Sequence, residues 1–118
     1  MSDLRQPNYA GLYDFLVEWL TAYQFPEDFE DLRNSGAQAD VLARELLREL
    51  PPVHELSGQK WSVIAKAIPQ DEIVLELDDD RVALVHLTWS KGPEQAPYPL
   101  TTVVSSQSEF ETLASDRY

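Results

Sequence analysis

The side chains able to do acid–base or ligand chemistry are few and scattered. There are two histidines, His54 and His86, and no cysteine. A zinc site draws on closely spaced Cys or His pairs. Neither occurs, so no metal ligand, no cofactor and no catalytic residue is expected. His86 lies in an apolar run with Leu84, Leu87 and Trp89, where a hydrogen-bonded, largely buried imidazole accounts for it. His54 follows the Pro51-Pro52 stop and is expected on a surface loop. Asp78-Asp79-Asp80 has charge enough for a cation but lacks the spaced ligands, glycine and terminal glutamate of a calcium loop; it reads as a turn beside Arg81. Ser90, His86 and Asp78 are triad residue types, yet no nucleophile elbow surrounds Ser90. Four glycines in all leave no phosphate-cradling loop.

Two constellations suit binding better than catalysis. Glu27, Asp28, Glu30 and Asp31 surround Phe29, and on a short helix several of these carboxylates must face solvent together. They could meet Lys or Arg on a partner with Phe29 as an anchor, or simply form a solvated face favoured by the helix dipole. The second is the proline-rich excursion Ser90–Pro99 between two strands, too long for a tight hairpin and bounded by Trp89 and Tyr98. Long loops in small domains often carry function. The two aromatics either present a contact surface or pin the loop to the core.

The elements that must position these groups follow from periodicity. Leu12, Phe15, Leu16, Trp19, Leu20 and Tyr23 recur at helical steps after Asn8. Pro26-Glu27-Asp28 has the chemistry of a fresh helix start, ending near Asn34-Ser35-Gly36. A third helix carries Leu42, Leu46, Leu47 and Leu50 and stops at Pro51-Pro52. The period then drops to two. Lys60–Ile68 places Trp61, Val63, Ala65 and Ala67 opposite Ser62, Ile64 and Lys66. Glu72–Asp78 alternates as a half-buried strand, and Val82–Trp89 reads as a central one. Asp79-Asp80 joins these two as an antiparallel hairpin, and Leu100–Ser105 is a fourth strand. Ser106-Gln107-Ser108-Glu109 has capping-box spacing before a short helix carrying Phe110, Leu113 and Ala114. The order predicts a single α+β domain over 1–118: a helical half (8–50) packed on an antiparallel sheet of about four strands (58–105), and a C-terminal helix (106–115).

Composition limits the partners. The chain has 118 residues, with 21 acidic against 9 basic and a net charge of −12. Each half contributes −6, from ten acids and four bases in residues 1–50 and eleven and five in 51–118. Phosphate backbones and anionic membranes repel such a surface, so neither nucleic acid nor membrane is an expected partner. A basic protein would be steered toward it; solubility alone is the other reading of the same charge. The missing cysteines, and the lack of a signal peptide or a long apolar run, point to the cytoplasm.

The stretch His54-Glu55-Leu56-Ser57-Gly58-Gln59-Lys60-Trp61, with Val85-His86-Leu87-Thr88-Trp89-Ser90, resembles a group of small uncharacterised bacterial cytosolic proteins. In these a tryptophan-led strand is followed by an acidic hairpin, a "VHLTWS" strand and a proline-containing loop. The resemblance covers the second half of the chain and implies no catalytic residues. In size, acidity and layout the chain is also similar to immunity proteins of toxin systems. The expectation is therefore a non-enzymatic acidic domain that binds a basic protein, such as a toxin, through Glu27, Asp28, Phe29, Glu30 and Asp31, with Trp89 and Tyr98 as a second contact. The alternatives are a housekeeping domain or homodimer whose acidity serves solubility, and a small enzyme or ligand binder around His86.

Overall fold

A computed structural model describes residues 17–69 and 71–118. Among these, one antiparallel sheet contains β1 (Phe29–Asp31), β2 (Trp61–Ala67), β3 (Glu72–Leu77), β4 (Val82–His86) and β5 (Thr101–Val104), in that spatial order. Strands adjacent in sequence are adjacent in space, so the sheet is a meander. Helix α1 (Gly36–Glu49) is inserted between β1 and β2, and α2 (Gln107–Arg117) follows β5. The α+β class and the antiparallel sheet match the expectation from sequence; among the described residues there are five strands and two α-helices, where the sequence predicts about four strands and N-terminal helices.

The sheet is the middle layer. On one face Leu42, Ala43 and Leu46 of α1 pack with Leu32 and Leu56 against Trp61, Val63, Ile73, Leu75, Leu77, Ala83 and Val85. On the other, Phe110 and Ala114 of α2 join Val17, Leu20, Tyr23 and Phe29 over Ile64, Ala65, Ala67, Val74, Val82 and Leu84. Burial on both faces explains why every residue of β3 is buried, Glu72 and Glu76 included, where alternation alone predicts one wet face. Phe110 is the hub of the second layer: the rings of Trp19, Tyr23, Phe25 and Phe29 lie 5.5–6.1 Å from it. Its helix starts as the sequence predicts, with Ser106 Oγ accepting from Glu109 N at 3.2 Å. Glu109 reaches back to Ser105 N at 2.7 Å, one residue earlier than the usual box.

Three local expectations need correction. The segment from Pro26 is a turn and strand, not a helix. Phe29 pairs with Ala67 and its ring is buried against Phe110 and Tyr118, so sheet pairing and packing override the local helix-start chemistry. Glu18–Leu20 forms a single 3-10 turn rather than part of an α-helix, and the earlier stripe residues Leu12, Phe15 and Leu16 lie outside the described residues. In β2 the simple alternation fails midway. Val63 pairs with Leu75 but Ala65 with Val74, so Ile64 is an extra residue. A bulge of this kind transfers every later side chain to the opposite face: Trp61 and Val63 face α1, while Ile64, Ala65 and Ala67 face α2.

Candidate functional site

β4 ends at His86, three residues earlier than the apolar run Val82–Trp89 predicts, and the chain returns to β5 through residues 87–100. This excursion is tied to the body by buried groups on either side. At its start, Glu49 of α1 accepts from Thr88 N at 3.0 and 3.2 Å and from Trp89 N at 2.8 Å. Glu45 accepts from Lys91 N at 3.2 Å, and the Glu49 carbonyl accepts from Glu94 N at 2.9 Å. Both glutamates are buried, at 1% and 0% exposure, because positions 45 and 49 fall on the same inward stripe as Leu42 and Leu46. Trp89 and Lys91 adopt left-handed φ of 57° and 63°, which turns successive N–H groups toward the carboxylates. Such backbone concavities bind anions, and here the anions are the protein's own side chains.

At the loop's end, His54 Nε2 donates to the Pro99 carbonyl at 2.8 Å while Nδ1 accepts from Leu56 N at 3.0 Å. The backbone donor at Nδ1 fixes the neutral tautomer with its proton on Nε2. His54 is thus buried, not on the surface: the turn after Pro51 folds it under the loop. The histidines exchange the places expected of them. His86, the last residue of β4, is exposed and lies 3.6 Å from the Glu72 carboxylate, which accepts from Arg117 Nη1 and the Tyr118 hydroxyl. Burial, then the hydrogen bond to Glu72, holds the Tyr118 hydroxyl well above the ordinary phenol range.

Trp89 and Tyr98, both partly exposed at 39% and 48%, do not pin the loop; Glu45, Glu49 and His54 do. Val53 precedes His54, and Tyr98 and Leu100 flank Pro99. The His54–Pro99 bond therefore joins two segments that each present exposed apolar side chains, Val53 at 80% and Leu100 at 49%.

The acidic quartet divides. Glu27, Glu30 and Asp31 are exposed and Asp28 is half-buried. Phe29 is 6% exposed and belongs to the core, so it is no partner anchor. Asp31 has an internal partner. Its carboxylate receives Arg33 Nε at 2.8 Å, while Arg33 also donates to the Leu20 and Tyr23 carbonyls, each at 2.6 Å. Burial would raise the Asp31 carboxyl, but the Arg33 hydrogen bonds and charge outweigh it and hold it below the usual range. β1 and the β4–β5 loop are separated by β2 and β3, on the order of 14 Å at the usual strand spacing. The acids and the aromatics are two patches, not one.

Among the described residues, no group of three or more His, Asp or Glu side chains is placed to hold a metal ion, and no helix is long and apolar enough to cross a membrane. The chain matches no protein-family model, no curated protein and no solved structure.

Proposed function

We propose that the chain is a non-enzymatic binding domain for a basic protein, in the manner of an immunity protein that neutralises a toxin. The observation that carries this reading is the loop between β4 and β5. Its aromatic side chains are exposed while its backbone is held by hydrogen bonds to the buried side chains of Glu45, Glu49 and His54. Interface energy concentrates in a few aromatic anchors, and a contact surface already fixed in shape loses less entropy on association. Trp89 and Tyr98 are the anchors, with Val53 and Leu100 beside them. Glu27, Asp28 and Glu30 supply attraction, supported by a net charge of −12. Their place beyond β2 and β3 suits steering of the encounter rather than direct pairing at the anchor.

The test is affinity capture of basic proteins by the unaltered chain, by Trp89→Ala with Tyr98→Ala, and by Glu27→Lys with Glu30→Lys, at low and high salt. A protein bound by the unaltered chain should be lost with the aromatic pair at either salt. With the charge-reversed pair it should be captured more slowly, with a weaker salt dependence. Capture that ignores both pairs of substitutions, or that is indifferent to salt, removes the reading.

A further inference from the structure

Buried carboxylates are costly unless hydrogen-bonded or charge-compensated, and Glu45 and Glu49 are placed one helical turn apart, side by side. Among the described residues the groups facing them are few, and the Thr88 side chain is one of them, on Glu49. Arg48 of α1 lies 3.3 Å from Glu45. From the loop come the Thr88, Trp89 and Lys91 amides and the Lys91 charge. Glu94, the nearby acid, is engaged by the Thr88 hydroxyl at 2.6 Å. These donors support one negative charge on the pair well and two poorly, because like charges in contact in a low-dielectric site cannot both ionise cheaply.

We propose that Glu45 and Glu49 form a proton-operated latch that fixes loop 88–94, and with it Trp89, and that loss of the shared proton loosens this loop while the sheet stays folded. The latch stands on the helix–loop hydrogen bonds and holds whether or not Trp89 meets a partner. With the proton present, the Glu49 carboxyl donates to the Glu45 carboxylate and still accepts the Thr88 and Trp89 amides. Burial, then the bond to Glu45, pushes Glu49 up to about 7. Glu45, which burial alone would raise, is held below the usual range by Glu49, the Lys91 amide, Arg48 and Lys91. Above that pH the pair becomes a buried dianion. The least costly response is for the loop to part from α1 and admit water, which also relieves the left-handed backbone at Trp89 and Lys91.

The experiment follows amide signals of the full chain by NMR from pH 5 to 9. The Thr88, Trp89 and Lys91 amide shifts should titrate together near pH 7. Their exchange protection should fall about tenfold or more between pH 6 and pH 8.5, with Val74 and Leu84 unchanged. Glu49→Gln keeps an acceptor for the loop and a donor for Glu45, and should abolish both effects; Glu45→Gln makes the same test from the other side. Loop protection that is equal at both pH values, that falls in step with Val74 and Leu84, or that falls alike in both variants overturns the latch. If neither variant folds, the profile of the unaltered chain decides on the first two outcomes.

Discussion

His54 donates to the carbonyl of Pro99, 45 residues later, across 2.8 Å, and this bond clamps the end of the β4–β5 loop to the turn after α1. Both ring nitrogens are used, since Nδ1 receives the Leu56 amide at 3.0 Å. His54→Ala strands the Leu56 donor, leaves the Pro99 carbonyl with only the Thr101 hydroxyl at 3.0 Å, and leaves a hole beneath Pro99. It should cost about 2–4 kcal/mol in urea unfolding and lower the exchange protection of Leu56. His54→Leu, which fills the space without the bonds, should lose protection at Leu56 to the same degree. Unchanged protection in both variants would mean that the clamp is incidental.

Glu72 ties the start of β3 to the C-terminal segment by accepting from Arg117 and Tyr118. It is buried, at 2% exposure, so its carboxylate depends on those donors. Tyr118→Phe removes one hydrogen bond and keeps the ring against Phe29; a loss of about 1–2 kcal/mol is expected. Combining it with Glu72→Gln should cost less than the sum of the single changes, because the two act through one contact. Strict additivity in the double-mutant cycle would refute the link.

The layout was legible where packing and local pattern agree. α1, the β3–β4 hairpin and the Ser106 cap all follow from spacing alone. What the sequence concealed were places where a distant element decides. Phe29 becomes a core residue because Ala67 pairs with it and Phe110 covers it, and neither partner is visible from Pro26-Glu27-Asp28. The bulge at Ile64 inserts one residue, which no period-two count detects. One signal is present in the sequence: in α1, Glu45 and Glu49 sit at the helical spacing of Leu42 and Leu46. An acid on an apolar stripe marks a buried polar contact, and here that contact organises the candidate site. The exchanged roles of His54 and His86 had no comparable signal, because burial at a strand end depends on what covers it.

Opposite linkages set the pH optimum of stability. Glu49 rises from 4.5 to about 7 on folding. Its contribution is therefore full below about 4.5 and is lost as pH climbs through about 7. Asp31 is depressed below 3.8 by Arg33. Its contribution is present above 3.8 and is lost as pH falls through its folded value. Urea midpoints should thus peak on the acid side of neutrality, near pH 5, and decline toward pH 8 by on the order of 2 kcal/mol. Glu49→Gln should flatten the decline and leave the acid limb in place. A midpoint that rises steadily from pH 5 to pH 8 contradicts the assignment.

Phe29 and Trp89 are both aromatic residues with acids near them, and the fold assigns them opposite roles. Phe29 touches Phe25, Phe110 and Tyr118 at centroid distances of 6.1, 5.5 and 5.2 Å. Phe29→Ala should cost about 3–5 kcal/mol of stability. Trp89 is held through its backbone amide, which any residue except proline supplies. Trp89→Ala should therefore change stability by less than about 1 kcal/mol, because the left-handed φ disfavours both residues alike and cancels in the difference. The two substitutions separate a core role from a surface role in one thermal-unfolding comparison. Only the second leaves a folded chain in which loss of binding can be assigned to a missing contact. Should Trp89→Ala destabilise as much as Phe29→Ala, the indole is a packing element, and the exposed loop loses its principal anchor.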